Sequence, residues 1–340
     1  MGKQRFICIE LTESCNNACR HCYNIWREKT LPVRSSRKRV LTRQELIGLV
    51  KKIQRDIPLQ YVALSGGEPL LRSDAALIAG DLLDLGLDPI VLTNGVLLSE
   101  SQLRRMPQGI TYQVSLLGHT AALHDAMTGR TTFERVIRNM ARIERYGSHM
   151  SVVFVASKLN ALAVDRTVEL ALAVGAQAIM YNRVNVSSAM KGFAGDVVPP
   201  LEMLCESLER LQAVVKRYDM PAVCSVPIPP CIVDPARYPD IQFGWCPRGG
   251  KNAYYTIGCD GTVRPCNHSS VILGDLLKRG FSAITASPQS RAYWKVWPSE
   301  CLKCDHPLRK LCHGGCTAAS HEFYGSQRRL DPYCELALIK

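Results

Sequence analysis

The sequence lacks any hydrophobic run long enough to cross a membrane. Its 340 residues are 46% hydrophobic and 21% charged. These ordinary globular values exclude disordered, collagen-like and coiled-coil chains, and no stretch approaches the roughly 18 apolar residues of a spanning helix. The N-terminus shows no signal-peptide pattern, and Phe6 stands where myristoylation requires Ser or Thr. We therefore expect a cytoplasmic protein with no membrane attachment.

Acidic residues are fewer than basic ones, whereas cysteines are abundant. The formal net charge is +12, and the chain holds 15 cysteines. A basic surplus can indicate a nucleic-acid partner, but metal-bound thiolates would lower this charge and no RNA-reading motif is present. An odd number of cysteines cannot all pair within one chain, and a long chain without a signal peptide favours metal binding over disulfides. We expect metal sites and no nucleic-acid partner.

Strand-like and helix-like segments alternate over the first two thirds of the chain. The strand-like segments are residues 6–11, 61–65, 89–93, 110–116, 152–156 and 178–181. Such alternation predicts parallel strands covered by helices. Six units predict an α/β fold built as a partial (β/α)6 TIM-like barrel, with its reactive groups at the C-terminal ends of the strands.

The alternation stops at a proline-rich stretch. Six prolines lie between residues 221 and 239, which indicates a linker, and from residue 244 the chain is rich in Cys, Gly and His. We therefore predict a boundary near residue 235, with the barrel in residues 1–235 and a small Cys-rich domain in residues 236–340.

Three closely spaced cysteines follow the first strand. Cys15, Cys19 and Cys22 are separated by four and three positions, and Tyr23 follows directly. Three thiolates on a four-iron cluster leave one iron open, which suits a reactive site rather than a structural one. On spacing alone, a zinc site that uses His21 as its fourth ligand is an alternative.

Glycine-containing turns follow the second and third strands. Residues 65–69 read SGGEP, and residues 93–95 read TNG. Two glycines at a strand end let the backbone approach a ligand closely, and an adjacent carboxylate can hold an ammonium group. Taken alone, either segment is more often a plain turn.

Together, these features resemble the radical S-adenosylmethionine (SAM) superfamily over about Phe6 to Tyr181. The resemblance implies that Cys15, Cys19 and Cys22 bind a [4Fe–4S] cluster, with SAM chelating the open iron. The residues that it implies around SAM are Tyr23, Gly66, Gly67, Glu68, Asn94, Ser115 and Arg130. Arg130 is alternatively an ordinary surface residue.

Eight more cysteines lie beyond the predicted barrel, and seven of them, all but Cys259, belong to one spacing pattern. Paired cysteines at such spacings chelate zinc or iron–sulfur clusters, and without context a zinc ribbon is the simpler interpretation. Behind a radical SAM core they resemble the SPASM extension, and Gly261 stands five residues before Cys266, as that pattern requires. The resemblance implies two auxiliary [4Fe–4S] clusters, an outer one on Cys301, Cys304, Cys312 and Cys334, and an inner one on Cys246, Cys266 and Cys316.

The inner set has one ligand fewer than a closed cluster needs. Asn252 stands where some family members have a further cysteine. The resemblance therefore leaves two possibilities: an open iron, or recruitment of Cys259, Cys231 or Cys224.

The resemblance also implies the reaction class. We expect a radical SAM oxidoreductase that generates a 5′-deoxyadenosyl radical to abstract a substrate hydrogen, with an external one-electron reductant of the flavodoxin or ferredoxin type. Oxidative modification of a ribosomal peptide or protein is the first expectation, which makes the chain a peptide maturase. The first strand begins by residue 6, which leaves no room for an N-terminal leader-binding domain. This favours the alternative, dehydrogenation or epimerisation of a small molecule such as a sugar or aminocyclitol.

Two residues are candidates for catalysis. The chain reads Cys266-Asn267-His268 where sulfatase maturases have a Cys-Asp pair, and because Asn cannot take a proton, formylglycine formation is disfavoured. His268 is a candidate base, or alternatively a hydrogen-bond donor to cluster sulfur. Cys231 is a candidate hydrogen-atom donor to a substrate radical, although a buried small hydrophobe is the ordinary role of an unassigned cysteine.

Overall fold

The computed structural model describes residues 5–24, 39–247 and 253–338. Within these ranges, eleven strands form one continuous sheet. The strands are β1 (Phe6–Thr12), β2 (Tyr61–Gly66), β3 (Asp88–Thr93), β4 (Thr111–Ser115), β5 (His149–Ala156), β6 (Ala178–Arg183), β7 (Ala222–Cys224), β8 (Ile241–Phe243), β9 (Thr256–Ile257), β10 (Thr262–Arg264) and β11 (Gly274–Asp275).

Helices connect the strands and cover the sheet. The first begins at a capping box, in which the Thr42 side chain accepts from the Glu45 backbone and the Glu45 side chain accepts from the Thr42 backbone. The described helices are α1 (Arg43–Asp56), α2 (Ala75–Asp84), α3 (Glu100–Arg105), α4 (Ala121–Thr128), α5 (Phe133–Met140), α6 (Val164–Ala173), α7 (Ala194–Val197), α8 (Leu201–Tyr218), α9 (Phe281–Thr285), α10 (Pro288–Lys295), α11 (Arg309–Cys312), α12 (Thr317–Tyr324) and α13 (Tyr333–Leu336).

The strand order confirms the predicted α/β architecture. The order across the sheet is β11-β10-β9-β1-β2-β3-β4-β5-β6-β7-β8, and each neighbouring pair from β1 to β8 is parallel. The six predicted strands are β1 to β6. Because β8 and β11 lie at the two edges, the sheet is an open, partial barrel, and the carboxyl ends of the parallel strands meet at one rim.

The proline-rich stretch is not a plain linker. Residues 222–224 form β7, which pairs with β6, and residues 241–243 form β8, which pairs with β7. The prolines stand before and between these short strands, which fits the absence of a backbone donor in proline. The sheet thus continues past residue 235, and the domain boundary near that position stays a prediction.

The C-terminal part extends the same sheet on its other side. Strand β9 pairs in parallel with β1, where Cys8 lies opposite Thr256 and Ile9 opposite Ile257. Strands β10 and β11 continue the sheet in antiparallel fashion. The strand that leads into the first three cysteines is therefore held between β2 and β9.

The hydrophobic core lies between the sheet and the helices. On β1, Ile7, Ile9 and Leu11 are at most 1% exposed, and α8 buries Leu204, Leu208, Leu211 and Val215 at helical spacing. This packing holds the strand ends from which the site loops leave. Within the described residues, none of the helices is long and apolar enough to span a membrane.

Candidate functional site

The first three cysteines lie in the loop after β1, and their side chains are partly exposed. The loop is ordered by its own hydrogen bonds. The Asn17 amide donates to Cys15 Sγ at 3.4 Å, and the Cys22 amide donates to the Cys19 carbonyl at 3.3 Å. Three thiols are thus presented at the rim of the sheet, on one short segment that we call the cysteine loop (residues 13–23).

The glycine pair at the end of β2 packs directly against the residues that enter this loop. A Cβ on Gly66 would lie 2.2 Å from the Thr12 carbonyl oxygen, and one on Gly67 would lie 2.2 Å from that of Ser14. Backbone hydrogen bonds of 2.8 Å run from Gly67 to Thr12 and from Glu68 to Ser14. No side chain fits at either position, so the two glycines set the start of the cysteine loop.

Glu68 is wholly buried and joins the ends of β2 and β3. Its carboxylate accepts from Thr93 Oγ1 and the Asn94 amide, both at 2.8 Å, and from the Leu70 amide at 3.1 Å. Burial raises the pKa of Glu68 to about 7, although these hydrogen bonds oppose the shift. The carboxylate therefore orders the strand ends, and its predicted contact with SAM stays a prediction.

Of the other residues predicted around SAM, Asn94 and Ser115 lie at neighbouring strand ends. The Asn94 side chain donates to Asn16 Oδ1 in the cysteine loop at 2.7 Å, and Ser115 is the last residue of β4. Arg130 is exposed after α4, beside the point where the Thr128 carbonyl accepts from the Ala18 amide at 2.8 Å. Asn94 thus contacts the loop directly, and Arg130 follows a segment that does.

The predicted outer cysteines line one cavity in the C-terminal part. Cys301, Cys304, Cys312 and Cys334 all border about 360 Å³ of empty space that is open in part to solvent, and Cys231 borders the same space. Burial raises the pKa of Cys231, and the charge of Cys304 adds to the effect. The structure therefore places Cys231 with the outer set, which the sequence did not indicate.

The three predicted inner cysteines lie close enough together for the charge of one thiolate to raise the pKa of another. Burial raises the pKa of Cys266 to about 12, and the charge of Cys246 contributes. Burial likewise raises the pKa of Cys316, to which Asp331, Cys246 and Cys266 add. These three thiols form the inner set.

Of the other candidate inner ligands, Cys224 ends β7 and Cys259 lies in the β9–β10 turn, and both are buried. The position of Asn252 lies outside the described residues.

The cysteine loop and the inner set meet at Tyr23 and His268. Their ring centroids are 4.1 Å apart, and Asn267 Nδ2 donates to the Tyr23 hydroxyl at 2.9 Å. His268 Nδ1 also contacts the Asn185 side-chain amide, which in turn reaches Cys316 Sγ at 3.6 Å. Burial lowers the pKa of His268 to about 3, with help from two nearby arginines, so this imidazole is neutral near pH 7.

Two buried ion pairs that sequence reasoning missed join the core to the C-terminal part. Arg183, which ends β6, pairs with Asp331, and Arg264, which ends β10, pairs with Glu10 in β1; all four side chains are at most 3% exposed. Asp331 also accepts from the Cys316 amide at 2.8 Å. The sequence signal for these ion pairs is a charged residue within or at the end of an apolar strand, as at Glu10, Arg183 and Arg264.

The donors in all three sets are thiols, which suit iron–sulfur clusters. Over residues 5–24, 39–247 and 253–338, no three His, Cys, Asp or Glu side chains converge closely enough for a single metal ion. Thiolates on an iron–sulfur cluster each bind a different iron atom and stand further apart than ligands of one ion. The residues present fit the clusters in kind and number, with three thiols in the loop, three in the inner set and at least four in the outer set.

Two family comparisons match separate parts of the chain. The sequence model of the radical SAM superfamily matches residues 9–171. The SPASM model, described as an iron–sulfur cluster-binding domain, matches residues 246–317. The first range runs from β1 into α6, and the second includes six of the seven cysteines predicted for the inner and outer clusters.

Individual relatives align over nearly the whole chain. An AdoMet-dependent heme synthase of Methanosarcina barkeri is 26% identical, and the alignment covers 97% of this chain and 96% of that protein. The crystal structure of Streptococcus suis SuiB bound to precursor peptide SuiA has a TM-score of 0.72 at 15% identity, covering 97% of this chain and 75% of SuiB. Native anSMEcpe with bound AdoMet and Cp18Cys peptide has a TM-score of 0.70 at 17% identity, covering 98% of this chain and 94% of anSMEcpe.

These likenesses agree with the order of the sites along the fold. The superfamily match spans the cysteine loop and the glycine pair, and the SPASM match begins at Cys246. The cofactors that follow are a [4Fe–4S] cluster, SAM and auxiliary iron–sulfur clusters. The chain is therefore a radical SAM enzyme with a C-terminal SPASM domain.

Proposed function

We propose that Cys15, Cys19 and Cys22 hold the cluster that binds SAM. Their thiols are partly exposed on one loop at the carboxyl rim of the sheet, which leaves room for a ligand beside them. The residues that we propose around SAM are Tyr23, Gly66, Gly67, Glu68, Asn94, Ser115 and Arg130. When bound, these cofactors supply a 5′-deoxyadenosyl radical that removes a hydrogen atom from the substrate.

The inner and outer cysteine sets are proposed to hold the auxiliary clusters. One observation supports net oxidation: Tyr23, next to Cys22, contacts His268, two residues from Cys266. A substrate that has lost one hydrogen atom must lose one more electron to become an oxidised closed-shell product. The inner set lies next to the cysteine loop and is the proposed location of the acceptor.

His268 is proposed to act at this junction as a hydrogen-bond donor. Its Nδ1 contacts the Asn185 side-chain amide, and a neutral ring that accepts there carries its hydrogen on Nε2. That hydrogen can be donated to the substrate or to cluster sulfur. This geometry supports the donor role of His268 over the role of general base.

A peptide or protein is the first proposed substrate class. Two proteins of the same fold, SuiB and anSMEcpe, have been crystallised with peptides, which supports this proposal. A small molecule is the second candidate, because the relative that aligns over 97% of this chain is named a heme synthase. We further propose a cytoplasmic enzyme that receives electrons from a flavodoxin or ferredoxin.

The test is anaerobic reconstitution of the full chain, followed by dithionite, SAM and product analysis. We expect about 12 irons per chain, as three four-iron clusters require, and formation of 5′-deoxyadenosine. About four irons with zinc in the C-terminal part would contradict the auxiliary clusters.

Adding either a synthetic cysteine-containing peptide or an iron porphyrin then separates the substrate classes. The one that raises 5′-deoxyadenosine formation and is itself modified identifies its class. The control for cysteine variants is Cys205→Ala. Cys205 lies in α8 outside the three cysteine sets, so this variant should match the wild type in iron content and in 5′-deoxyadenosine formation.

A further inference from the structure

One cavity in the C-terminal part is lined by five cysteines rather than four. Cys301, Cys304, Cys312 and Cys334 form the outer set, and Cys231 is the fifth. The Cys231 side chain is exposed, so its thiol stands on the open side of the cavity. A four-iron cluster has one terminal position on each iron, so one of these five thiols is in excess.

Cys231 reaches this cavity on an anchored turn from the other end of the sheet. The turn follows β7, and the amides of Ile232 and Val233 donate to the Pro229 carbonyl at 2.9 and 3.1 Å. Val233 is 3% exposed, and Pro229 and Pro230 are buried beside the cavity. The position of Cys231 is therefore fixed by packing on both sides.

Cys301 and Cys304 are the partly buried members of the outer set. Cys312 and Cys334 are buried within short helices, and Cys301 Sγ lies 3.2 Å from where a Cβ on Gly314 would stand. Cys304 is only partly buried, in the connection that leads to α11. Seven residues separate it from Cys312, which is longer than the usual SPASM spacing.

We propose that Cys231 is a reserve ligand of the outer cluster that takes the place of Cys304 when that thiol is lost or modified. The inference rests on the proposed function in one respect, that the outer set holds a cluster. When an electrophile alkylates Cys304, a carbon–sulfur bond forms, the bond from Cys304 sulfur to iron breaks, and the electrophile releases its leaving group as an anion. The Cys231 sulfur then binds the open iron and its thiol proton passes to solvent, so the charge and oxidation state of the cluster are unchanged.

The test compares Cys231→Ala, Cys304→Ala and the double variant, each reconstituted anaerobically as the full chain, with Cys205→Ala as the control. We expect both single variants and the control to keep the iron content of the wild type, since at least four cavity thiols remain in each. The double variant keeps three thiols and one open iron, so we expect it to release about four irons to a chelator at least tenfold faster than either single variant. Labelling with iodoacetamide, followed by mass spectrometry, should modify Cys231 readily in the wild type and at least tenfold more slowly in Cys304→Ala.

Loss of about four irons from Cys304→Ala alone would overturn the proposal. Equal labelling of Cys231 in the wild type and in Cys304→Ala would do the same, and this readout does not need the double variant to fold. The triple variant of Cys301→Ala, Cys312→Ala and Cys334→Ala leaves two thiols in the cavity and distinguishes the premise from the inference. If this triple variant keeps all of its iron, the outer set holds no cluster and both proposals fail; if it loses about four irons while Cys231 is not protected in Cys304→Ala, only the reserve role fails.

Discussion

At the scale of single residues, the position most sensitive to a small change is Gly67. Its hydrogen atoms face the Ser14 carbonyl oxygen, which would lie 2.2 Å from an added Cβ. We expect Gly67→Ala to displace the entry to the cysteine loop and to lower the rate of 5′-deoxyadenosine formation at least tenfold.

The matched control for Gly67→Ala is Gly48→Ala, because nothing lies within 4 Å of a Cβ at Gly48 in α1. That helical substitution should keep full activity and stabilise the fold by about 1 kcal/mol. Full activity in Gly67→Ala would show that the close approach does not position the loop.

Glu68 should make the folded protein less stable as the pH rises, which is the reverse of the usual effect of a carboxylate. Its pKa is raised from 4.5 to about 7 in the folded protein, so between these values the folded state holds a proton that the unfolded chain has lost. The free energy of unfolding should therefore fall as pH rises through this range, by up to about 3 kcal/mol at about 1.4 kcal/mol per pKa unit.

The check is urea unfolding of the wild type and Glu68→Gln at pH 5 and pH 7.5. The variant should be less stable at pH 5, because a glutamine amide cannot accept from all three donors, and it should lose less stability as the pH rises. An equal fall in the free energy of unfolding between pH 5 and pH 7.5 in the two proteins would exclude Glu68 as the titrating group.

At the scale of elements, the Arg183–Asp331 pair joins the end of β6 to the start of α13. Removing one partner of a buried pair leaves an uncompensated charge, which costs about 3 to 5 kcal/mol. We expect Arg183→Met to lower the free energy of unfolding by this amount, and the double variant with Asp331→Leu to recover part of it. Denaturant unfolding of the two single variants and the double variant tests this, and additive losses would argue against direct coupling.

An element can be predicted from the sequence when the residues that favour it lie within or next to it. Strands β1 to β6 could be predicted because apolar segments alternate with helices that end at glycines such as Gly86 and Gly175. Strands β7 and β8 could not, because each has three residues and prolines surround them. Pairing with an existing sheet edge, rather than local propensity, makes these segments strands.

The residues of the candidate site also differ in how local their sequence signals are. The ten motif cysteines were predicted from their order, from local spacings such as that of Cys15, Cys19 and Cys22, and from the family resemblance, and their cluster roles stay predictions. The Arg183–Asp331 pair could not, since its members are 148 positions apart and only the tertiary fold brings them together. Cys231 was recognised as unassigned, but nothing in its neighbourhood in sequence indicates the outer cavity.

At the scale of the whole molecule, the outer set and the cysteine loop belong to separate parts of the fold. We expect the triple variant of Cys301→Ala, Cys312→Ala and Cys334→Ala to lose about four irons while SAM is still cleaved to 5′-deoxyadenosine, because the cysteine loop is built from β1, β2 and β3. Turnover of the substrate should fall more than tenfold.

Iron analysis and quantification of both products check this expectation, with Cys205→Ala beside it. A parallel loss of SAM cleavage in the triple variant would show that the outer set supports the first step as well.

The pairing of β9 with β1 also has a consequence for biosynthesis. Cys8 pairs with Thr256, so β1 waits until a strand far later in the chain has been made before its second edge is covered. Until then β1 exposes an unpaired edge, the kind of surface through which nascent chains aggregate. The entrance to the cysteine loop is thus completed only after β9 has been synthesised, which places maturation with metal after that point.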